Sequence, residues 1–212
     1  NITNTGGSTF SLNGHLVAFG KNIINNGTID GTVAASRLYW INNGVASNYS
    51  GTGTSVAPLV SWDIDNPQGV TIDPAVSNII TSRIIIFTGG LTNSNKLTLG
   101  NGAATTGTVQ IGNTTTPTNA GALDVAPTFN LGSGGQVISY LRTTNARTTG
   151  FEVNPTRILT SMTYDDNDIS HALTIAGGDL TVSSATTALA LTNGRVITGT
   201  NNLIVSNGAA TV

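Results

Sequence analysis

The sequence predicts an all-β chain folded as a right-handed parallel β-helix, a β-solenoid, with an antiparallel β-sandwich as the alternative. Three observations carry the prediction. The first is composition: 35 Thr, 24 Asn and 26 Gly among 212 residues, with Glu152 the single Glu and Met162 the single Met. Thr suits a pleated sheet, whereas Asn and Gly suit turns that need positive φ. The second is a recurring alternation. Leu173/Ile175, Leu189/Leu191 and Leu203/Val205 follow one another at short, nearly equal intervals, each leading into a Gly-containing turn. Residues two apart in a strand share a face, so each unit points two aliphatic side chains one way and Thr, Ser or Ala the other. One unit cannot bury such a pair alone, but stacked units can. The third is Asn-Gly at 13–14, 26–27, 43–44, 101–102, 193–194 and 207–208. The first three pairs are spaced too widely for tight hairpins and suit corners between strands. At roughly 20 residues per coil and ~4.8 Å per rung, the chain makes a rod about 50 Å long.

Taken in order, residues 1–44 show the pattern at Phe10/Leu12, Leu16, Phe19, Ile23, Ile29, Leu38 and Trp40. Residues 45–60 read as an extended corner. The runs Val60–Ile64 and Val70–Ile72 read as strands, each stopped by a proline, Pro67 or Pro74, which has no N–H for the ladder. Rungs return at Ile79-Ile80, Ile84–Ile86, Leu97–Leu99 and Val109–Ile111, and residues 113–128 form a second extended corner. Residues 142–171 interrupt the coils. Seven of the eighteen charged residues (Arg142, Arg147, Glu152, Arg157, Asp165, Asp166, Asp168) lie there, which predicts a solvated excursion with a hairpin through Phe151–Val153 and Ile158–Met162. Regular coils fill 172–212. The organisation is therefore solenoid over 1–141, excursion over 142–171 and solenoid again to the end, in a mature product or a piece of a longer polypeptide.

Charged residues are 8% of the chain, against roughly a quarter in ordinary globular proteins. Regular aliphatic alternation and a net charge of −2 argue against disorder. Without a basic run, no phosphate-binding footprint exists, so nucleic acid is not an expected partner. There is no cysteine, hence no disulfide or thiolate metal site. The longest apolar run, Ile84-Ile85-Ile86-Phe87, is far short of the ~20 residues of a membrane helix.

Few residues form a recognisable chemical set. Asp63 and Asp65 share one face of a predicted strand while Trp62 and Ile64 take the other. With Asp73 on a neighbouring coil they could serve as hard oxygen ligands or as a carboxylate set for glycoside cleavage. The plainer reading is a solvated face beside a buried Trp. A basic residue near the acids would favour cleavage, and the nearest is Arg83, beyond Asp73. Tyr39, Trp40, Tyr49 and Trp62 gather aromatic surface. Trp40 and Trp62 alternate with aliphatic residues and are expected inside, leaving Tyr39 and Tyr49, with Asp63 and Asp65, as candidate glycan contacts. Asp165, Asp166 and Asp168 form a dense oxygen-ligand run around Asn167, a candidate calcium site that lacks the Gly and terminal Glu of an EF-hand. A solvated turn is the alternative. No cofactor is expected beyond calcium at this run. His15 and His171 stand alone, and no Gly-x-Ser-x-Gly nucleophile turn occurs.

The units Leu97-Thr-Leu-Gly-Asn-Gly, Leu173-Thr-Ile-Ala-Gly-Gly-Asp-Leu-Thr-Val and Leu203-Ile-Val-Ser-Asn-Gly resemble the repetitive regions of large bacterial surface proteins. These are the β-strand-repeat adhesins and autotransporter-like passengers, especially the giant secreted proteins of Bacteroidota. The resemblance is best over 79–112 and 172–212. It implies export, a place on the cell surface or in a fibre, and a structural or adhesive role without catalysis. Implied partners are adjoining repeats or a second copy end to end, and surface glycans. The alternative function is a β-helix that binds or cleaves polysaccharide on its Asp face. Irregular repeat length and the absence of a Gly-Gly-x-Gly-x-Asp nonapeptide separate the chain from calcium-dependent β-rolls.

Overall fold

The computed structural model describes residues 1–56, 59–166 and 168–211, so that Ala57 and Pro58 of the first predicted corner and Asn167 of the acidic run lie outside the described residues. The fold is an all-β, parallel β-solenoid of about eight turns. Each turn lays down three strands in succession, and strands pair in parallel with their counterparts in adjacent turns.

The first sheet stacks Ile2–Asn4, Ile23–Asn25, Ser47–Ser50, Val70–Ile72, residues 89–92 of Arg83–Thr92, and Ala120–Leu123. A separate ladder of Arg147–Thr148, Ala172–Thr174 and Arg195–Ile197 follows. The second sheet comes in three blocks. These are Thr9–Ser11, Thr28–Asp30 and Thr54–Val56; then Ile79–Thr81, Leu97–Leu99 and Thr128–Phe129; then Ile158–Leu159 with the first parts of Leu180–Asn193 and Leu203–Thr211. The third sheet is the most continuous. It stacks Leu16–Phe19, Arg37–Ile41, Ser61–Asp65, residues 83–88, Gly107–Gly112, Gln136–Leu141, Ser161–Asp165 and residues 189–193.

The core follows from this register. On the third sheet Leu38, Trp62, Ile84, Val109, Ile138 and Met162 form one inward row and Trp40, Ile64, Ile86, Ile111, Tyr140 and Tyr164 the next; all are buried. Each inward side chain is thus covered by a rung above and a rung below, the condition a single strand cannot meet. The expected burial of Trp40 and Trp62 is observed. Their rings stack 4.4 Å apart in the early turns.

Corners obey the backbone rules that Asn-Gly implies, in two ways. Gly194 has φ +89°, where only glycine is unstrained. Gly27 is needed for space instead, because a Cβ there would lie 2.2 Å from the Ser8 carbonyl oxygen. Buried amides tie successive corners together. Asn4 Nδ2 donates to Asn25 Oδ1 at 2.9 Å, and Asn25 Nδ2 donates to the Tyr49 hydroxyl at 3.0 Å.

Several expectations are corrected. Coil length is uneven: Ile79 aligns with Leu97 one turn on, whereas Leu91 aligns with Leu123, so a constant coil of roughly 20 residues does not describe the chain. About eight rungs at ~4.8 Å give a rod of about 40 Å. Leu173, Leu189 and Leu203 are not stacked copies; they sit on the first, third and second sheets. Residues 45–60 and 113–128 are not bare corners, since they hold the paired strands Ser47–Ser50, Thr54–Val56 and Ala120–Leu123. Residues 142–171 are not a hairpin excursion. Arg147–Thr148, Ile158–Leu159 and Ser161–Asp165 pair in parallel with flanking turns, and Glu152 and Asp166 are buried. Charge density there reflects a polar interior: Tyr140 and Tyr164 point inward, and their hydroxyls need acceptors.

Candidate functional site

The outer surface of the third sheet across turns two to four brings together three of the predicted site residues, Tyr39, Asp63 and Asp65. In Arg37–Ile41, Leu38 and Trp40 point inward, which sends Arg37, Tyr39 and Ile41 outward. In Ser61–Asp65, Trp62 and Ile64 point inward, which sends Ser61, Asp63 and Asp65 outward. The parallel register aligns Arg37 with Ser61, Tyr39 with Asp63 and Ile41 with Asp65. In the next rung Ile85 lies beside Asp63. A bulge between Ile86 and Thr88 then brings Thr88 beside Asp65. Such a bulge re-aims side chains locally.

Asp65 is half-buried and held from two sides. The Tyr39 hydroxyl donates to Oδ2 at 2.9 Å and the Thr88 hydroxyl donates to Oδ1 at 2.9 Å. Each carboxylate oxygen has two acceptor sites, so each retains one for a ligand hydroxyl. The Tyr39 ring meets Phe87 edge-on, centroids 6.0 Å apart and planes at 78°. Burial, reinforced by the hydrogen bond and charge of Asp65, pushes the Tyr39 hydroxyl up to about 12, so it stays a donor at neutral pH. Both rings are half-buried and present part of their surface to solvent.

Asp63 behaves differently from the expected open carboxylate. It faces away from the core, as predicted, yet it is fully buried. Arg37 pairs with Oδ2, and the Ser61 hydroxyl donates to Oδ1. Arg83 Nε donates to that same Ser61 oxygen at 3.2 Å, so the basic residue sought near the acids is present, alongside Arg37. The aspartate is consumed by its own sheet.

Two other expectations are also corrected. Tyr49 is 1% exposed, continues the buried Asn4–Asn25 chain and packs against Trp62, so it is a core residue and not a glycan contact. Asp73 does not join Asp63 and Asp65. It follows a strand of the first sheet, and its Oδ1 accepts the Ala75 N–H at 2.8 Å.

The acidic run is dispersed by the chain's path. Asp165 lies on the third sheet between Leu141 and Asn193. Asp166 is buried and accepts from the Thr143 hydroxyl at 2.8 Å, the Tyr164 hydroxyl at 3.1 Å and the Asp168 N–H at 3.1 Å, with His171 Nδ1 at 2.8 Å. Asp168 Oδ1 accepts the Ser170 N–H at 2.8 Å. Among the described residues no group of three or more His, Cys, Asp or Glu side chains converges to hold a metal ion.

Sequence reasoning missed Arg37, Phe87 and Thr88 at the outer face. It also missed the inner pair in which the Tyr140 hydroxyl donates to Glu152 Oε1. Phe87 could have been found as the one aromatic closing the Ile84–Ile86 run, but the bulge that leaves it between Ile86 and Thr88, edge-on to Tyr39, has no local sequence signal. No protein-family model, curated protein or solved structure matches the chain.

Proposed function

We propose that this chain is a structural, adhesive segment of an extracellular bacterial surface protein or fibre, and that it holds saccharides on the outer face of its third sheet. The observation that carries the reading is the Tyr39–Asp65–Phe87 group. It joins two half-exposed aromatic rings to a carboxylate oriented by Tyr39 and Thr88. A sugar ring offers C–H faces that pack on aromatic rings and hydroxyls that donate to carboxylate oxygens. A rigid sheet positions such groups at little entropic cost. The polar, nearly uncharged surface and the cysteine-free chain fit an exported protein.

The rod's ends fit the structural half of the proposal. Ile2–Asn4, Thr9–Ser11 and Leu16–Phe19 each have a paired strand on one side only among the described residues, leaving backbone edges that other β-structure can extend. Adjoining repeats or a second copy are the partners proposed for them. Cleavage is the weaker reading, because glycoside hydrolysis needs two available carboxyl groups and Asp63 is committed to Arg37 and Ser61.

Affinity electrophoresis of the chain against neutral and acidic polysaccharides tests the reading. Retardation by at least one of them is expected, weakened at least tenfold in Tyr39→Ala and Phe87→Ala. Retardation by none, or retardation that both variants retain in full, would overturn it. Release of reducing ends would replace holding by cleavage.

A further inference from the structure

The second sheet is broken twice, and the two breaks differ. Between Thr54–Val56 and Ile79–Thr81 the backbone of Leu59 closes the gap. Its N–H donates to the Ile80 carbonyl at 3.0 Å, and its carbonyl accepts from the Ser82 N–H at 2.8 Å. Between Thr128–Phe129 and Ile158–Leu159 no strand pairing crosses among the described residues. The former pairs with Leu97–Leu99 and the latter with Leu180–Asn193. Among the described residues, side-chain amides close the inner end. Asn154 Nδ2 donates to Gln136 Oε1 and to the Ile158 carbonyl, both at 2.8 Å, standing in for a strand's amide.

The outer part of this break is an open cavity of about 540 Å³. Phe129 and Leu131 wall it on one side, Pro155 and Ile158 on the other. Phe129 aligns with Leu99 in the inward row, yet it is only half-buried where Leu99 is fully buried. The ring is therefore a core residue uncovered by the missing rung. No ionisable side chain lines the space. Its polar side chains are Asn154, whose amide is engaged, and Thr156, whose hydroxyl donates to Asn154 Oδ1 at 2.5 Å and can still accept.

We propose that this cavity is a binding site for a small uncharged ligand bearing an apolar ring or branched chain and one hydroxyl or amide donor. The volume lies within the range of about 300–1,000 Å³ usual for small-molecule sites, and the lining is their usual mixture of apolar walls with few polar groups. A charged ligand would lose hydration here without meeting a counter-charge. The site lies on a different sheet from the Tyr39–Asp65–Phe87 face and does not depend on the saccharide reading.

The test is a methyl-detected NMR titration of the full chain with a matched pair of probes, 1-naphthalenemethanol and 1-naphthoate. The alcohol should give saturable shifts at the Leu131 and Ile158 methyls, and the anion should bind at least tenfold more weakly. Ile158→Trp fills the mouth from a position already 54% exposed, so the fold is retained, and it should weaken the alcohol at least tenfold, read at Leu131. Val45→Trp, at a 52% exposed position outside the cavity lining, should leave binding unchanged. Non-saturable shifts, equal binding of both probes, or full binding by Ile158→Trp would each overturn the proposal.

Discussion

Tyr39 reaches across one rung of the third sheet and donates its hydroxyl to Asp65 at 2.9 Å, the link that ties an outward aromatic ring to an outward carboxylate. The phenol is pushed up to about 12, first by burial and then by Asp65. Tyr49 is likewise pushed up to about 12 by burial, against the hydrogen bond from Asn25. Burial also raises Tyr140 and Tyr164, assisted by Glu152 and Asp166 respectively. All four tyrosines are thus held above the ordinary value of about 10. Ionisation measured at 295 nm should show almost no phenolate at pH 10.5 in the folded chain, and about three-quarters ionisation in denaturant, where the phenols return to about 10. Because the unfolded chain ionises first, stability should fall as pH rises above about 10. Even one tyrosine titrating at pH 10 in the native state would contradict the packing described.

Arg37 and Asp63 form a pair in which the carboxylate is fully buried and the guanidinium partly exposed. Removing one partner leaves an uncompensated buried charge, which costs about 3–5 kcal/mol in such pairs. Arg37→Ala should therefore be strongly destabilising in urea. The double variant Arg37→Met with Asp63→Leu should recover most of the loss, since it removes both charges and keeps apolar volume. Additive losses in the two single variants and the double variant would mean that the pair is not coupled.

Gly194 and Gly44 separate two reasons for a corner glycine. Both have positive φ, +89° and +77°, but a Cβ at Gly194 would lie 2.8 Å from the Tyr164 ring, whereas one at Gly44 meets nothing within 4 Å. Gly44→Ala should cost about 1 kcal/mol from backbone strain alone. Gly194→Ala should cost more, about 2–4 kcal/mol, through strain plus displacement of a buried ring. Equal costs in thermal unfolding would show that Tyr164 yields freely.

That contrast also shows what local pattern carries. Alternation placed Leu191 inward and Thr192 outward, and both hold, although Leu191 is only partly buried. It did not say what Leu191 rests on. Leu191 aligns with Tyr164 of the preceding turn, not with Leu173 or Leu203. A period of two identifies a strand and its faces, but it carries no label for which of three sheets the strand joins. Corner lengths set that label, and they vary from turn to turn. The same limit explains Asp63. Its outward direction was legible, while its burial depends on Arg37 in the preceding turn and on Arg83 beyond Ser61. In residues 142–171 the charge count suggested solvent, because nothing local shows that Tyr140 and Tyr164 turn their hydroxyls inward toward Glu152 and Asp166.

The Asp166–His171 contact supplies a pH-dependent prediction. The Asp166 hydrogen bond raises His171 above its ordinary 6.5, against a smaller opposing effect of burial. Burial pushes Asp166 up, but hydrogen bonds from Thr143, His171, the Asp168 N–H and Tyr164 together outweigh it and hold the carboxyl below 3.8. The signs follow from linkage. A raised histidine contributes stability that is full below pH 6.5 and fades as pH rises through the raised value. A lowered aspartate contributes stability that is full above pH 3.8 and fades as pH falls through the lowered value. Stability from this contact should therefore be greatest between about pH 4 and pH 6.5. The melting temperature should fall from pH 6 to pH 8.5, and the fall should be smaller in His171→Gln, which cannot charge. Asp166→Ala should cost about 1–3 kcal/mol at either pH, because it strands the buried Tyr164 hydroxyl, while the Thr143 hydroxyl keeps the Asn145 carbonyl as acceptor. Parallel melting curves for the wild type and His171→Gln across that range would show that the imidazolium contributes nothing to holding Asp166.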